Sequence, residues 1–352
     1  MIKISPLLAI DHAQIRALLR HKSEPQPAEA ACLEQSLIFS GASFWQHWIP
    51  VSWHMAGSVY VAKEDGVVLG LISVKSISKS KNCFEIDHVI VHPHHRGRGI
   101  AQELMRFVFA LLGSQGVNHF ISEVSELNDA ALSLFNSFGF CRLTRVNYFG
   151  LPDIEAGQEF PKVTGFKQAG RNDSHDIFML YQESLPPEIR HVFNFGPEDF
   201  NIFELPVARV ERVRKRLAST KVFYWLYRDP ERNSACALLK VTSHNDLDYH
   251  AEFVVHPGWT HLAEPIVDYA LRKFARLSKD SVMHIKVYDF QKPILQALID
   301  KGFKRGNTFC LLAKEHWIRA KVPPQHAIER SLNLGQIAKP AINLPRKSES
   351  GV

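Results

Sequence analysis

The chain has no cysteines in CxxC spacing; its five, Cys32, Cys83, Cys141, Cys236 and Cys310, are scattered singly over 352 residues. That excludes a zinc ribbon or a disulfide framework and predicts reduced, structural thiols in a cytoplasmic protein. No apolar run approaches the ~20 residues needed to cross a bilayer. The opening MIKISPLLAIDH lacks the apolar length and small-residue cleavage site of a signal peptide. No membrane partner is expected. No Walker loop (GxxxxGK[ST]) occurs. The one glycine-rich turn fails the dinucleotide pattern, because Gly97 and Gly99 are followed by Gln102 where a third glycine belongs. A large excess of one charge is also missing: the formal net charge is +6. From Glu315 onward six Lys/Arg stand against three Glu, so half of that excess sits in the C-terminal segment. Solvated basic surface explains it, and no nucleic-acid partner is expected.

What is present is an ordinary globular composition, 45% hydrophobic and 22% charged, in a chain long enough for two domains. Its most informative stretch is residues 92–102, HPHHRGRGIAQ. A strand-like run precedes it (residues 84–91, FEIDHVIV), and Ile100, Leu104, Phe107, Val108 and Leu111 recur behind it at helical period. Two glycines let backbone approach a ligand closely. A helix N-terminus then offers unpaired N–H donors and a partial positive charge, which suits a pyrophosphate.

Next come a second strand (residues 120–124), Asn128, a short helix and the stop Gly139-Phe140. Strand, basic glycine turn, helix, strand, Asn, helix and Gly-Phe, in this order, resemble the GNAT superfamily of acetyl-CoA-dependent N-acetyltransferases. The resemblance covers residues 1–150. It implies a mixed α/β fold in which backbone atoms of Val89, Ile90 and Val91 hold the pantetheine arm. Arg96, Gly97, Arg98, Gly99, Ile100, Ala101 and Gln102 would bind the pyrophosphate, and Asn128 would contact the cofactor. Acetyl-CoA is the implied acyl donor and an amine, small molecule or peptide, the acceptor.

The pattern occurs twice. Val91-His92-Pro93 returns as Val255-His256-Pro257, and Gly139-Phe140 as Gly302-Phe303. An amphipathic helix, a strand and a short helix lie between each pair of markers. Upstream in each half two apolar runs flank a turn, Asp65-Gly66 in the first and Asp229-Pro230 in the second. This predicts a tandem duplication of one α/β unit, with a catalytic domain at 1–150, a degenerate copy at 165–321, and an extended or disordered tail at 322–352. The second copy has lost the arginine and glycine pair. Its Glu264 would repel phosphate at a helix N-terminus, so a folded but silent domain is expected. Such a chain would be a monomer or a homodimer.

Acetyl transfer needs a base to free the amine. Glu123 is the leading candidate, because residues 123–128 resemble the E-V-x-x-x-N segment of ribosomal-protein N-terminal acetyltransferases, in which the matching glutamate is the base. Glu85 and Asp87, sharing one face of the first strand, are its rivals. In that subgroup the position of Phe135 is usually a proton-donating tyrosine; Phe135 cannot donate, and Tyr148 is the nearest substitute. His92, His94 and His95 form a basic turn with no thiolate or carboxylate neighbour in sequence, so no metal is expected. Residues 39–53 (FSGASFWQHWIPVSW) are an aromatic-rich stretch; core packing or docking against the second domain accounts for it, and the resemblance implies that the same region helps to build the acceptor pocket. A non-catalytic acyl-CoA-binding sensor or scaffold is the alternative reading.

Overall fold

The computed structural model describes residues 2–20, 57–80, 82–152, 160–200, 220–244, 248–275 and 281–316. The aromatic stretch at 39–53, part of the segment joining the two halves and the tail at 322–352 lie outside the described residues. In chain order the first half runs β1 (Lys3–Pro6), α1 (His12–Arg20), β2 (Gly57–Glu64), β3 (Val67–Ser76), β4 (Cys83–Val91), α2 (Ile100–Ser114), β5 (His119–Ser125), α3 (Asp129–Ser137) and β6 (Cys141–Gly150). The second runs β7 (Phe166–Gln168), α4 (Ser174–Ser184), α5 (Pro187–Phe193), β8 (Thr220–Arg228), β9 (Ala235–His244), β10 (Asp248–Val255), α6 (Ala263–Phe274), β11 (Val282–Tyr288), α7 (Lys292–Asp300) and β12 (Lys304–Glu315).

Local chemistry accounts for most of these elements. Asp65 and Gly66 both have positive φ (51° and 81°), the type I′ geometry that joins β2 to β3 in a two-residue hairpin. Asn128 caps α3 by accepting from the Ala131 N–H at 3.0 Å. The repeated Val-His-Pro has a structural cause as well. His92 Nδ1 accepts from the His94 N–H at 3.3 Å, and His256 Nδ1 from the Gly258 N–H at 3.0 Å. In both halves an imidazole thus caps the short turn that proline initiates.

Among the described residues twelve strands join in one sheet, in the order β1-β2-β3-β4-β5-β12-β6-β11-β10-β9-β8-β7. Read from either end, five strands of one half are followed by the sixth strand of the other. The two halves exchange their last strands: β12 lies beside β5, β6 lies beside β11, and β6 and β12 pair antiparallel in the middle. Residues 1–316 accordingly make one compact unit. On one face α2 and α3 bury Ile72, Phe84, Ile86, Leu104, Met105, Phe120 and Phe135. On the same face of the second half α6 and α7 bury Leu239, Phe253, Ile266, Ile285 and Leu298. Each such apolar side chain contributes roughly 1.5–3 kcal/mol of transfer free energy. The opposite face is covered by α1, α4 and α5, through clusters around Ile15, Ile177 and Phe193. Because side chains alternate along a strand, the neighbours of Phe84, Ile86 and Phe120 point to that second face, and there the charged residues gather.

Candidate active site

Strands β4 and β5 run parallel, but their register pairs only Cys83, Phe84 and Glu85 with His119, Phe120 and Ile121. Beyond that point the strands part. The Ser122 hydroxyl bridges the divergence, donating to the Ile86 carbonyl at 2.9 Å. Val89, Ile90 and Val91 keep their ladder with β3 on one side, opposite Ile72, Leu71 and Gly70. Their other edge is turned toward the cleft. In the second half the parallel ladder of β10 with β11 continues through Ala251 and Glu252. By the Val-His-Pro repeat, Glu252 stands where the first half has His88. The second ladder is therefore closed at His250, Ala251 and Glu252, the positions equivalent to Ile86, Asp87 and His88, where the first has already parted.

The glycine turn sits at the mouth of this opening. Gly97 and Gly99 have φ of 76° and 78°, the left-handed region that side chains avoid. Gly99 is the N-cap of α2 and brings no side chain to the helix end. The N–H groups of Ile100, Ala101 and Gln102 have no carbonyl a turn earlier to meet and point out of the helix start. A Cβ on Gly97 would meet nothing within 4 Å, whereas one on Gly99 would lie 3.3 Å from Gln102 Oε1. The space in front of the turn is open. Arg96 is exposed beside it. Arg98 is anchored, donating to Glu64 on β2 at 2.8 Å and lying 3.0 Å from His95 Nδ1; it braces the turn while adding positive charge. These residues fit a pyrophosphate: donors without a competing side chain, at a positive helix end, beside an unpaired strand edge. The equivalent turn of the second half has no left-handed glycine, contains the kinked Trp259 (φ −123°, ψ 35°), and leads into Glu264, paired with Lys301 at 2.9 Å. A carboxylate at that helix start opposes an anion.

The expected catalytic residues converge on the second face. Glu123 and Tyr148 meet directly, the Tyr148 hydroxyl donating to Glu123 Oε2 at 2.8 Å. Glu85 and Asp87 share one cation, Lys75 Nζ, at 3.2 and 3.1 Å. Asn128, by contrast, is exposed and engaged as the cap of α3. Phe135 is core: it packs edge-on to Phe140 with centroids 4.9 Å apart, and a hydroxyl there would have no polar surroundings.

Sequence reasoning missed Lys286. It reaches from β11 in the second half to form an ion pair with Glu123 Oε1. The repeat held the signal, since Gly139 to Gly302 spans 163 positions and so does Glu123 to Lys286. The same interval relates Tyr148 to Leu311, and the register pairs Glu123 with Leu311 and Lys286 with Tyr148. Opposite charges thus occupy equivalent positions and meet across the exchanged strands. The row continues outward, Lys286 beside Glu252, Glu252 beside Lys240, and Lys240 beside Tyr224, with Lys240 Nζ 3.1 Å from Glu252 Oε2.

The electrostatics follow from burial and these partners. Burial opposes charge on Lys286, but Glu123, Tyr288, Tyr148 and Glu85 outweigh it and hold the ammonium well above the ordinary lysine range. Burial pushes the Tyr148 hydroxyl up, and the Glu123 carboxylate adds to this against Lys286, so it is a poor acid at neutral pH. Burial also raises Glu85 above the usual carboxylate range; Glu123 and Asp87 add to the rise, and Lys75 opposes it. Burial likewise lifts Tyr288, to about 12.

The chain is similar to known proteins in sequence and in fold. Residues 28–140 match the model of the acetyltransferase (GNAT) family. The chain is similar to the mouse (Mus musculus) probable N-acetyltransferase family 8 member 5, 34% identical over 89 residues, which are 24% of this chain and 39% of that one. It is also similar to N-acetyltransferase 8F1 of Rattus norvegicus, 31% identical over 87 residues, again 24% of this chain and 39% of the relative. It thus spans about two-fifths of the length of these curated relatives. In fold it is similar to a tandem GNAT protein from the clavulanic acid biosynthesis pathway, with a TM-score of 0.57 at 15% identity, covering 91% of this chain and all of that one. A GCN5-related N-acetyltransferase from Sphaerobacter thermophilus gives a TM-score of 0.56 at 12% identity, over 91% and 98% of the two chains. The sequence match to the acetyltransferase (GNAT) family thus lies in the first half of the chain, at residues 28–140, and in fold the chain as a whole is similar to a tandem GNAT protein.

Proposed function

We propose that this chain is an acetyl-CoA-dependent N-acetyltransferase that works in its first half, residues 1–150, and that the degenerate copy at 165–321 is silent toward the cofactor. The observation that carries the reading is the asymmetry of the two clefts. β4 and β5 part after Glu85 beside a left-handed glycine turn, whereas β10 and β11 stay paired to Glu252 beside a turn that leads into Glu264. The second half serves instead as a structural partner, lending β12 to the sheet and Lys286 to Glu123.

In this reading the N–H groups at the head of α2 and the Gly97–Gly99 turn take the pyrophosphate. The free edge of residues 89–91 aligns the pantetheine arm and offers an N–H to the thioester carbonyl. Bound acetyl-CoA supplies an activated acyl group, so the protein's task is position and proton transfer. The acceptor is a primary amine: a protein N-terminus, a lysine or a small molecule. It arrives protonated and must lose a proton before attack. Glu85, on the cleft strand β4, takes that proton: burial and the neighbouring Glu123 and Asp87 carboxylates raise its affinity for one. Glu123, held by an ammonium and a phenol, orders the floor of the site. The departing thiolate needs no strong acid, since an alkyl thiol has a pKa of about 8.5; water suffices where Phe135 and Tyr148 do not donate.

The test is calorimetric titration of acetyl-CoA into wild-type protein and Gly99→Glu, followed by thiol release with a panel of primary amines. One site per chain in the wild type, lost in Gly99→Glu, with amine-dependent thiol release, is expected. Absence of binding to the wild type would sink the reading. Binding without turnover on any amine would make the chain an acyl-CoA-binding sensor.

A further inference from the structure

Away from the cofactor cleft, three side chains from distant parts of the sequence converge at one end of the central strands. His119 opens β5, His191 lies in α5, and Glu315 closes β12. One ligating atom from each falls within 4.8 Å of the other two. His191 Nε2 and Glu315 Oε1 are 3.1 Å apart. Two ligands of a tetrahedral ion with bonds of about 2.1 Å lie about 3.4 Å apart, so that pair is already spaced for one. The His119 and His191 rings meet edge to face, with centroids 5.2 Å apart.

His119 is prepared as a ligand. It is 6% exposed, and its Nδ1 lies 2.9 Å from Asn118 Oδ1. With Nδ1–H donating to that oxygen, the lone pair is on Nε2, and the ring is held in one orientation, as metal-binding histidines are held by their outer partners. Asn118 is itself fixed, because its carbonyl accepts from the His316 N–H at 2.7 Å. His191 and Glu315 are 64% and 42% exposed in their side chains. An ion there would have an entry path and a coordination position open to water.

We propose that His119, His191 and Glu315 form a binding site for a divalent first-row cation, zinc foremost. Two imidazoles and one carboxylate are a borderline donor set that suits zinc and excludes the hard, all-oxygen preferences of calcium and magnesium. The site would fasten three elements that the chain must bring together from far apart: β5 of the first half, the exchanged strand β12, and α5 between them. It differs from the metal-free expectation drawn from the sequence, and it does not depend on the acetyltransferase reading. Among the described residues it is the one group of three or more His, Cys, Asp or Glu side chains converging this closely.

The experiment is titration of zinc sulfate alone into chelator-stripped full-length protein, by calorimetry and by thermal melting. The wild type should bind one zinc tightly and melt at a higher temperature with metal than without. His191→Ala and Glu315→Gln change exposed side chains and should keep the fold; each should weaken the site about 100-fold and abolish the thermal shift. Asn118→Ala should weaken it by about 10-fold to 100-fold, as loss of a ligand's outer partner does. A control with His94→Ala and His95→Ala in the glycine turn should bind as the wild type does. Lack of tight binding by the wild type, or tight binding that survives in His191→Ala, would overturn the proposal.

Discussion

Replacing Lys286 by methionine tests the arrangement at the centre of the sheet. The change keeps the length of the side chain and removes the cation that answers Glu123. Glu123 is 13% exposed and Lys286 24% in their side chains, so neither end of the pair is well hydrated. Breaking a fully buried pair from one side costs about 3–5 kcal/mol, because the remaining charge is left without its partner. The residual exposure here reduces that to about 2–3 kcal/mol, a fall in melting temperature of roughly 3–5 °C for a unit of this size. Glu123→Leu alone should cost a similar amount by stranding the ammonium. The double variant Lys286→Met/Glu123→Leu should recover much of the loss, since an apolar pair replaces a charged one. The assay is equilibrium urea unfolding of wild type, both single variants and the double, closed as a cycle. A coupling energy of about 2 kcal/mol is expected from residues in direct contact. If the two costs add to within about 0.5 kcal/mol, the ion pair across the exchanged strands contributes nothing, and the reasoning fails.

Glu85→Gln should lower turnover by about 10²–10⁴, the usual worth of a positioned base, with acetyl-CoA affinity unchanged in calorimetry; full turnover would return the role to Glu123 or Asp87. The same residue makes a pH prediction. Burial raises its carboxyl in the folded state above the unfolded value, so its contribution to stability is present below the ordinary carboxylate range and is lost as pH rises through the raised folded value. Glu85→Gln should therefore gain stability over wild type at neutral pH and lose that gain in acid, read from urea midpoints at several pH values, whereas kcat/KM of the wild type should climb as pH rises through the same titration. Gly99→Ala, at φ 78°, should cost about 1 kcal/mol of stability through left-handed strain and weaken acetyl-CoA binding; unchanged affinity would move the pyrophosphate elsewhere. His92→Ala and His256→Ala should each remove a cap worth about 0.5–2 kcal/mol, and identical losses in urea unfolding would support the equivalence of the two turns.

The sequence alone determined the parts. Sequence pattern placed β4 and β5 to within a residue at each end and a helix behind each of them, Asp65-Gly66 announced its hairpin, and the repeated Val-His-Pro and Gly-Phe declared a duplicated unit. The glycine turn was legible because a left-handed backbone at a helix start leaves a mark in residue type. Only the tertiary structure decided which half each sixth strand pairs with. A strand's own side chains do not name its distant partner. That choice put Lys286 beside Tyr148 and within reach of Glu123, made one sheet of two halves, and brought His119, His191 and Glu315 to one spot. It also decided how far each parallel ladder zips, three pairs in the first half and five in the second. An open cleft is a property of strand separation, and separation is set by packing across the sheet.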